Sequence, residues 1–418
     1  MSRLLHLEGI LMGTQPEKTD SNDATEVPPP IEALGFDRDC PVGEPAEVEL
    51  MPGIKVWLVT RYSDVTHALT SPYVAVRVPE AVADLIDAGR LPAAYREAFT
   101  EDRKNLLNTD PPEHTALRSE ITKQLTAQRM TALHERIVSG ALRLVRGVSD
   151  SPGPSVDIMQ ELAYPLSIMA ICDLLGVPEA DRGTFLGWAH AISVGGGGPE
   201  GYQAVFAAMA EMDTYFGRLL EDKKFTDGDT LAAGIIRSNA ESSSMTVPQL
   251  KTMLAMLVMS GLETAASLTG TAVAVILRDP RLRDLLLSDL SLADAFIEET
   301  IRFAGPVTFT PPRFTRSDIE LGSVVIPAGE PVSMSLWSAN RDPSQFHESA
   351  SFNPMRSERS QLGFGRGAHY CLGAAIARSE AKAALTHLFG LHPAMELEQV
   401  VWRDSNLRGP VSLSVAVR

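Results

Sequence analysis

Apolar residues along this chain recur mostly at helical spacing. Between about 110 and 305, "DPPEHTALRSEITKQL", "MTALHERIVSGALRLV", "LSIMAICDLLG" and "VFAAMAEMDTYFGRLLED" place them three and four apart, which predicts a series of amphipathic helices. One run differs. "VPQLKTMLAMLVMSGLETAASLTGTAVAVILRD" is roughly 30 residues of helix former with an almost uncharged middle, so it predicts a helix buried on all sides. Alternation appears in three places: "KVWLVTR" (55–61), "RFTRSDIELGSVVIPAGEPVSMSL" (313–336) and the final "VSLSVAVR". These predict short strands with Gly and Pro turns. "SDVTHAL", after the first of them, reads as a helix start.

No period repeats, and no linker-like stretch follows residue 30. The polar "GTQPEKTDSNDATEVPPP" (13–30) ends in a proline run and reads as a flexible leader. The expected organisation is a leader over 1–30 and one mainly α domain with a minor β part over 31–418. Gly195–Gly198 is the strongest interior breaker, expected as a mobile surface loop between two helices.

Charge and cysteine content narrow the function classes. A net charge of −16 disfavours nucleic-acid binding, which needs clustered Lys and Arg. The three cysteines, Cys40, Cys172 and Cys371, are widely spaced and odd in number. They suggest no disulfide framework, so the reducing cytoplasm is the expected compartment. "LLHLEGILMG" near the N-terminus is interrupted by His6 and Glu8 and does not read as a signal peptide or a membrane anchor.

The most informative stretch is "FGRGAHYCLG", Phe364–Gly373, followed at once by the helical "AAIARSEAKAALTHLF". A buried cysteine acting as a small hydrophobe does not need three neighbouring glycines. A zinc site lacks a CxxC or HxxxH nearby. The glycine spacing is not that of a dinucleotide loop, and no apolar strand precedes it. A thiolate ligand to haem iron explains the stretch residue by residue. The next helix's N-terminus favours the thiolate. Gly365 and Gly373 let the backbone approach a flat macrocycle. Phe364 shields sulfur, His369 reaches a propionate, and one axial ligand requires one cysteine.

This stretch resembles the haem-ligand signature of the cytochrome P450 monooxygenases, and the likeness extends over nearly the whole chain. "EETIR" supplies Glu299 and Arg302 on one helical face; an ordinary surface ion pair gives the same spacing. In the family this pair is buried and joined by a second arginine, whose place Arg356 of "FNPMR" holds. "DPPEHTALR" is similar to the family's helix start that offers His114 and Arg118 to haem propionates, and Arg313 matches a third propionate contact. "MSGLETAAS" resembles the oxygen-activating segment. There Glu263 and Thr264 stand as the acid–alcohol pair. Ser260 replaces the usual Ala or Gly, and Ala265 the usual Thr or Ser. Gly261 is expected to weaken the helix beside the oxygen site, on one face with Ser260 and Thr264.

The resemblance implies haem b with Cys371 as metal ligand, and oxygen activation using two electrons. Thr264 and Glu263 would handle protons. The implied reaction is hydroxylation or epoxidation of a bulky organic substrate, in secondary metabolism. Leu257, Ser260, Gly261, Val307 and Thr308 would line the substrate pocket. A chain of this length leaves no room for a fused reductase, so ferredoxin and ferredoxin reductase are the expected electron donors. Arg366, Lys123 and Arg129 are candidates for the docking face. The protein is expected to be a monomer, binding neither nucleic acid nor membrane. Two alternatives stand: an oxidative coupling or desaturating member of the same family, and a haem sensor without turnover, which would have no need of proton delivery.

Overall fold

The computed structural model describes residues 41–51, 54–91, 96, 100–149, 153, 155–194, 198–403 and 407–417. The leader 1–30, Cys40 and Gly195–Gly197 lie outside the described residues. Gly198, expected in a loop, opens the helix Gly198–Glu221.

The expected all-round buried helix is the axis of the fold. It runs Val247–Arg278 and is hereafter the central helix. Its start is a capping box: the Gln249 amide N–H donates to the Thr246 hydroxyl at 3.3 Å, and the Thr246 N–H donates to the Gln249 side chain at 2.8 Å. Pro248 occupies the first turn, where a missing N–H costs nothing. Asp279 ends it and caps the next helix, Pro280–Ser288.

Composition alone makes the central helix long and apolar enough to cross a membrane, but 83% of its most apolar window is buried inside the protein. Helices Tyr164–Leu175, Ala293–Ala304, Gly198–Glu221 and Ala374–Leu391 pack around it. Each fully buried Leu, Ile, Val or Met in this layer contributes about 1.5–3 kcal/mol, so packing rather than local propensity holds the helix.

Among the described residues the β part forms three sheets. Strands are β1 (Ala46–Met51), β2 (Ile54–Val59), β3 (Val74–Ala75), β4 (Ser155–Asp157), β5 (Arg313–Thr315), β6 (Ile319–Leu321), β7 (Val324–Ile326), β8 (Pro331–Met334), β9 (Glu396–Trp402) and β10 (Pro410–Ala416). The main sheet has the order β1-β2-β8-β5-β3, parallel only between β2 and β8. The sheet β4-β10-β9 lays the β9–β10 hairpin on the central helix. Two bonds tie that hairpin's far end to the segment after Ala304: a Val307–Leu407 bridge, and Arg408 N–H to the Pro306 carbonyl at 2.7 Å.

Helix Ala374–Leu391 carries an unusual buried acid. Glu380 is fully enclosed and accepts one bond, from the Ser167 hydroxyl at 2.7 Å. Burial pushes its carboxyl up from 4.5 to about 8. Unfolded, the group ionises from about 4.5 upward; folded, it keeps its proton until about 8. Stability therefore falls as pH rises through that window, by on the order of 4–5 kcal/mol in total, and levels off above it. Glu380→Gln should flatten the alkaline side of the holoprotein's Tm-against-pH curve between pH 5 and 9. An unchanged slope would mean that another group sets it.

Candidate active site

The cysteine loop turns through two left-handed glycines, Gly365 at φ +70° and Gly367 at φ +75°. Gly365 N–H bonds the Leu362 carbonyl at 2.7 Å, and Cys371 N–H bonds the Phe364 carbonyl at 2.9 Å. A Cβ on Gly367 would stand 2.9 Å from the Leu69 carbonyl oxygen. Gly367, absent from the expected site, is thus the residue that seats the loop on helix Tyr62–Thr70. Gly373 is the residue before helix Ala374–Leu391, and its Cβ position lies 4.0 Å from Cys371 Sγ.

Phe364 is half-buried. The Arg378 guanidinium stacks 4.4 Å over its ring, and Glu298 fixes that guanidinium with a second contact at 3.2 Å. Burial pushes the Cys371 thiol up, while N–H groups of Gly373 and Ala374 and the charges of Arg118 and Arg378 pull it down. Burial outweighs the helix N-terminus here.

Four cationic or imidazole side chains converge near the loop. His114 and Arg118 share helix Glu113–Gln124. His114 is buried, stacks on His369 at 4.3 Å between ring centroids, and its Nε2 has no partner. His369 Nδ1 faces the Leu106 carbonyl at 3.1 Å. Burial, then the charge of Arg313, depresses His369 to about 4. Arg313 enters from β5, and burial pushes its guanidinium down to about 10, with Asp110 the one charge opposing the shift. Arg118 Nη1 donates to the Ala368 carbonyl at 3.2 Å. A buried arginine, an orphaned imidazole nitrogen and a second arginine are a receptor for buried carboxylates. They fit the two propionates of haem, and the half-buried thiol of Cys371 fits its iron.

Thr264 and Ser260 are one turn apart on the central helix. The Thr264 hydroxyl donates to the Ser260 carbonyl at 2.7 Å, and the Ser260 hydroxyl donates to the Met256 carbonyl at 2.6 Å. Ser260 therefore spends its proton on the helix itself. Leu257, one turn earlier, is half-buried, as is Val307, whereas Thr308 is buried. The expectation for Gly261 does not hold. Its missing Cβ faces Ile171 Cδ1 at 3.1 Å, so it admits helix Tyr164–Leu175 rather than leaving room beside Thr264.

Glu263 is buried. Arg403, just past β9, donates from Nη2 to Glu263 Oε2 at 2.8 Å and to the Tyr164 hydroxyl at 3.2 Å. Sequence reasoning did not find Arg403 or Tyr164.

Glu299 and Arg302 form a buried fork: Nε to Oε2 at 2.8 Å and Nη2 to Oε1 at 2.6 Å. Arg356 Nε joins at 3.3 Å from Oε2. Of the three residues expected to face an electron donor, Arg366 is exposed, Lys123 pairs with Glu120 at 3.0 Å and Arg129 with Asp229 at 2.7 Å.

The sequence model of the cytochrome P450 family matches residues 210–391. Vitamin D(3) 25-hydroxylase of Pseudonocardia autotrophica is 33% identical over 378 residues, covering 87% of this chain and 88% of that protein. Cytochrome P450 monooxygenase PikC of Streptomyces venezuelae is 33% identical over 382 residues, covering 90% and 88%. Among solved structures, a myxobacterial cytochrome P450, CYP267B1 with myristic acid, superposes with a TM-score of 0.82 at 29% identity, over 90% of this chain and 94% of that one. The tirandamycin C-bound P450 monooxygenase TamI gives 0.80 at 31% identity, over 90% and 94%.

Proposed function

The chain belongs to the cytochrome P450 family, and on that premise we propose that it hydroxylates or epoxidises a bulky natural-product intermediate. In this reading two electrons come from a ferredoxin and its reductase, and the protein works as a cytoplasmic monomer. The haem-thiolate reaction class itself follows from family membership. The observation that carries the site reading is the convergence of half-buried Cys371 with the orphaned Nε2 of His114 and the buried Arg313. The substrate class is supported by the relatives, among them a vitamin D(3) hydroxylase and a tirandamycin-bound monooxygenase.

Haem b, when bound, supplies iron at which dioxygen is taken up and reduced. The protein's own residues do the rest. Cys371 ligates through sulfur. His114, Arg118, Arg313 and His369 neutralise the carboxylates. Phe364, covered by Arg378, keeps water from the sulfur. Leu257 and Val307 supply apolar surface for the substrate, and Thr308 a polar atom. The half-buried Thr264 hydroxyl gives its own proton to the Ser260 carbonyl, which leaves its oxygen to accept a hydrogen bond at the oxygen side. Glu263 passes protons toward it.

Three measurements test this. Binding-induced shifts of the haem absorption spectrum across a metabolite panel identify the substrate, and product mass then reports the chemistry. A gain of one oxygen supports the reading; an oxidised product with none supports coupling or desaturation. Thr264→Ala should leave electron uptake intact and lower product formed per NAD(P)H by at least about tenfold, with peroxide taking the difference. Full coupling in that variant would remove Thr264 from the proton path.

A further inference from the structure

The junction between the central helix and the β9–β10 hairpin holds polar atoms that the fold alone does not use. Arg403 and Glu263 are 8% and 1% exposed. Arg403 Nη2 serves Glu263 and Tyr164, yet Arg403 Nε and Nη1, Glu263 Oε1 and Ser267 Oγ have no protein partner. Ser267 is one helical turn beyond Glu263. The Cβ position of Gly409 lies 2.4 Å from Ser267 Oγ, and Gly409 pairs with Arg403 across the hairpin at 2.9 Å. Arg403, Glu263 and Ser267 are therefore neighbours at this junction. Buried polar atoms in such a cluster are ordinarily satisfied by ordered water. An ion pair that served only to fasten the hairpin would be expected to use its full fork, as Arg302 does on Glu299.

We propose that Arg403 is the positioning residue for Glu263, holding its carboxylate at this junction together with water bound among Arg403, Glu263 and Ser267, so that protons destined for Thr264 enter from the hairpin side. This rests on Glu263 being the proton-relaying acid. The groups facing the carboxylate are Arg403 after β9 and Tyr164 on helix Tyr164–Leu175, with Asp157 of β4 behind Tyr164. Tyr164 is pushed up to about 12, first by burial and then by Glu263, so it remains a neutral hydroxyl through the working range. Arg403 is the one cation among them.

The test uses haem-loaded Arg403→Met, Arg403→Lys, Glu263→Gln and the Glu263→Gln/Arg403→Met double variant. Stripped of its cation, a carboxylate this buried takes up a proton. Arg403→Met should therefore show a deuterium-sensitive carboxylic-acid C=O band in the infrared that the double variant lacks. Its product per NAD(P)H should fall about tenfold, to the Glu263→Gln level, with the double variant no worse. Arg403→Lys should recover part of the coupling and lack the band. Parental coupling and pH profile in Arg403→Met overturn the proposal. Should Arg403→Met not fold, parental behaviour of Arg403→Lys combined with a coupling loss in the double variant beyond that of Glu263→Gln overturns it. A band in Arg403→Met with full coupling in Glu263→Gln upholds the ion-pair assignment and sinks the acid's role in the proposed function instead.

Discussion

Cys371→His protein should lose the long-wavelength band that thiolate ligation gives the reduced carbon monoxide complex, and its monooxygenase turnover should fall to background. Changing a residue behind a metal ligand typically costs 10–100-fold, so losing the ligand itself should cost more than about 100-fold. Imidazole is neutral and cannot supply the electron density that a thiolate donates to iron. The loop would still close, because its bonds run through the backbone: Cys371 N–H to Phe364, and Gly365 N–H to Leu362. Haem content should therefore drop less than activity does.

Cys172 is the control. It is completely enclosed in helix Tyr164–Leu175, and burial pushes its thiol up to about 12. A sulfur enclosed on every side leaves no place beside it for a flat macrocycle, whereas Cys371 is half-buried. Cys172→Ser should leave the carbon monoxide spectrum as it is. Survival of that spectrum in Cys371→His, or its loss in Cys172→Ser, would remove Cys371 from the iron.

The cysteine loop was legible in sequence because each residue type there answers a separate physical demand. The central helix was legible from its uncharged length, and Glu299 with Arg302 from their spacing of three. Rotational phase was not legible. In a helix apolar all round, periodicity cannot say which side a residue faces, and Gly261 was accordingly placed beside Thr264 when it packs on Ile171. The glycine that docks the loop, Gly367, could not be told from Gly365, since both take left-handed backbone and only Leu69 distinguishes them. Arg403 escaped for a different reason. It follows β9 in "VVWRDSN", and its partner lies 140 residues earlier. The buried Glu263 did signal that some cation had to exist; nothing local said which one.

The largest stability effect is expected at Glu299. Its carboxylate carries two arginines, Arg302 and Arg356, which are 2% and 5% exposed. The arginines' remaining hydrogen bonds go to backbone carbonyls of one stretch, and Arg356 Nη1 also lies 4.0 Å from the Glu358 carboxylate. Arg302 bonds Asn340, Ser349 and Ser351, each at 2.8 Å. Arg356 bonds His347, Glu348 and Ser351. Glu299 itself accepts from Asn353 N–H at 2.8 Å. The chain from 340 to 356 is thus wired to a single acid, and that chain leads directly into the cysteine loop. Glu299→Gln keeps the shape but removes the negative charge that both buried cations share. Breaking a buried pair in this way costs about 3–5 kcal/mol, because the surviving charges stay desolvated. Glu298, the neighbouring residue, pairs with Arg378 at a half-buried site. Glu298→Gln should cost no more than about 1 kcal/mol. Thermal unfolding of the two holoproteins makes the comparison, with haem release followed in the same scans. Glu299→Gln should unfold at a much lower temperature than Glu298→Gln and release haem before the helices melt, since the loop that positions Cys371 loses its anchor first. Equal stability of the two variants would mean that the network is shaped by the loop rather than shaping it.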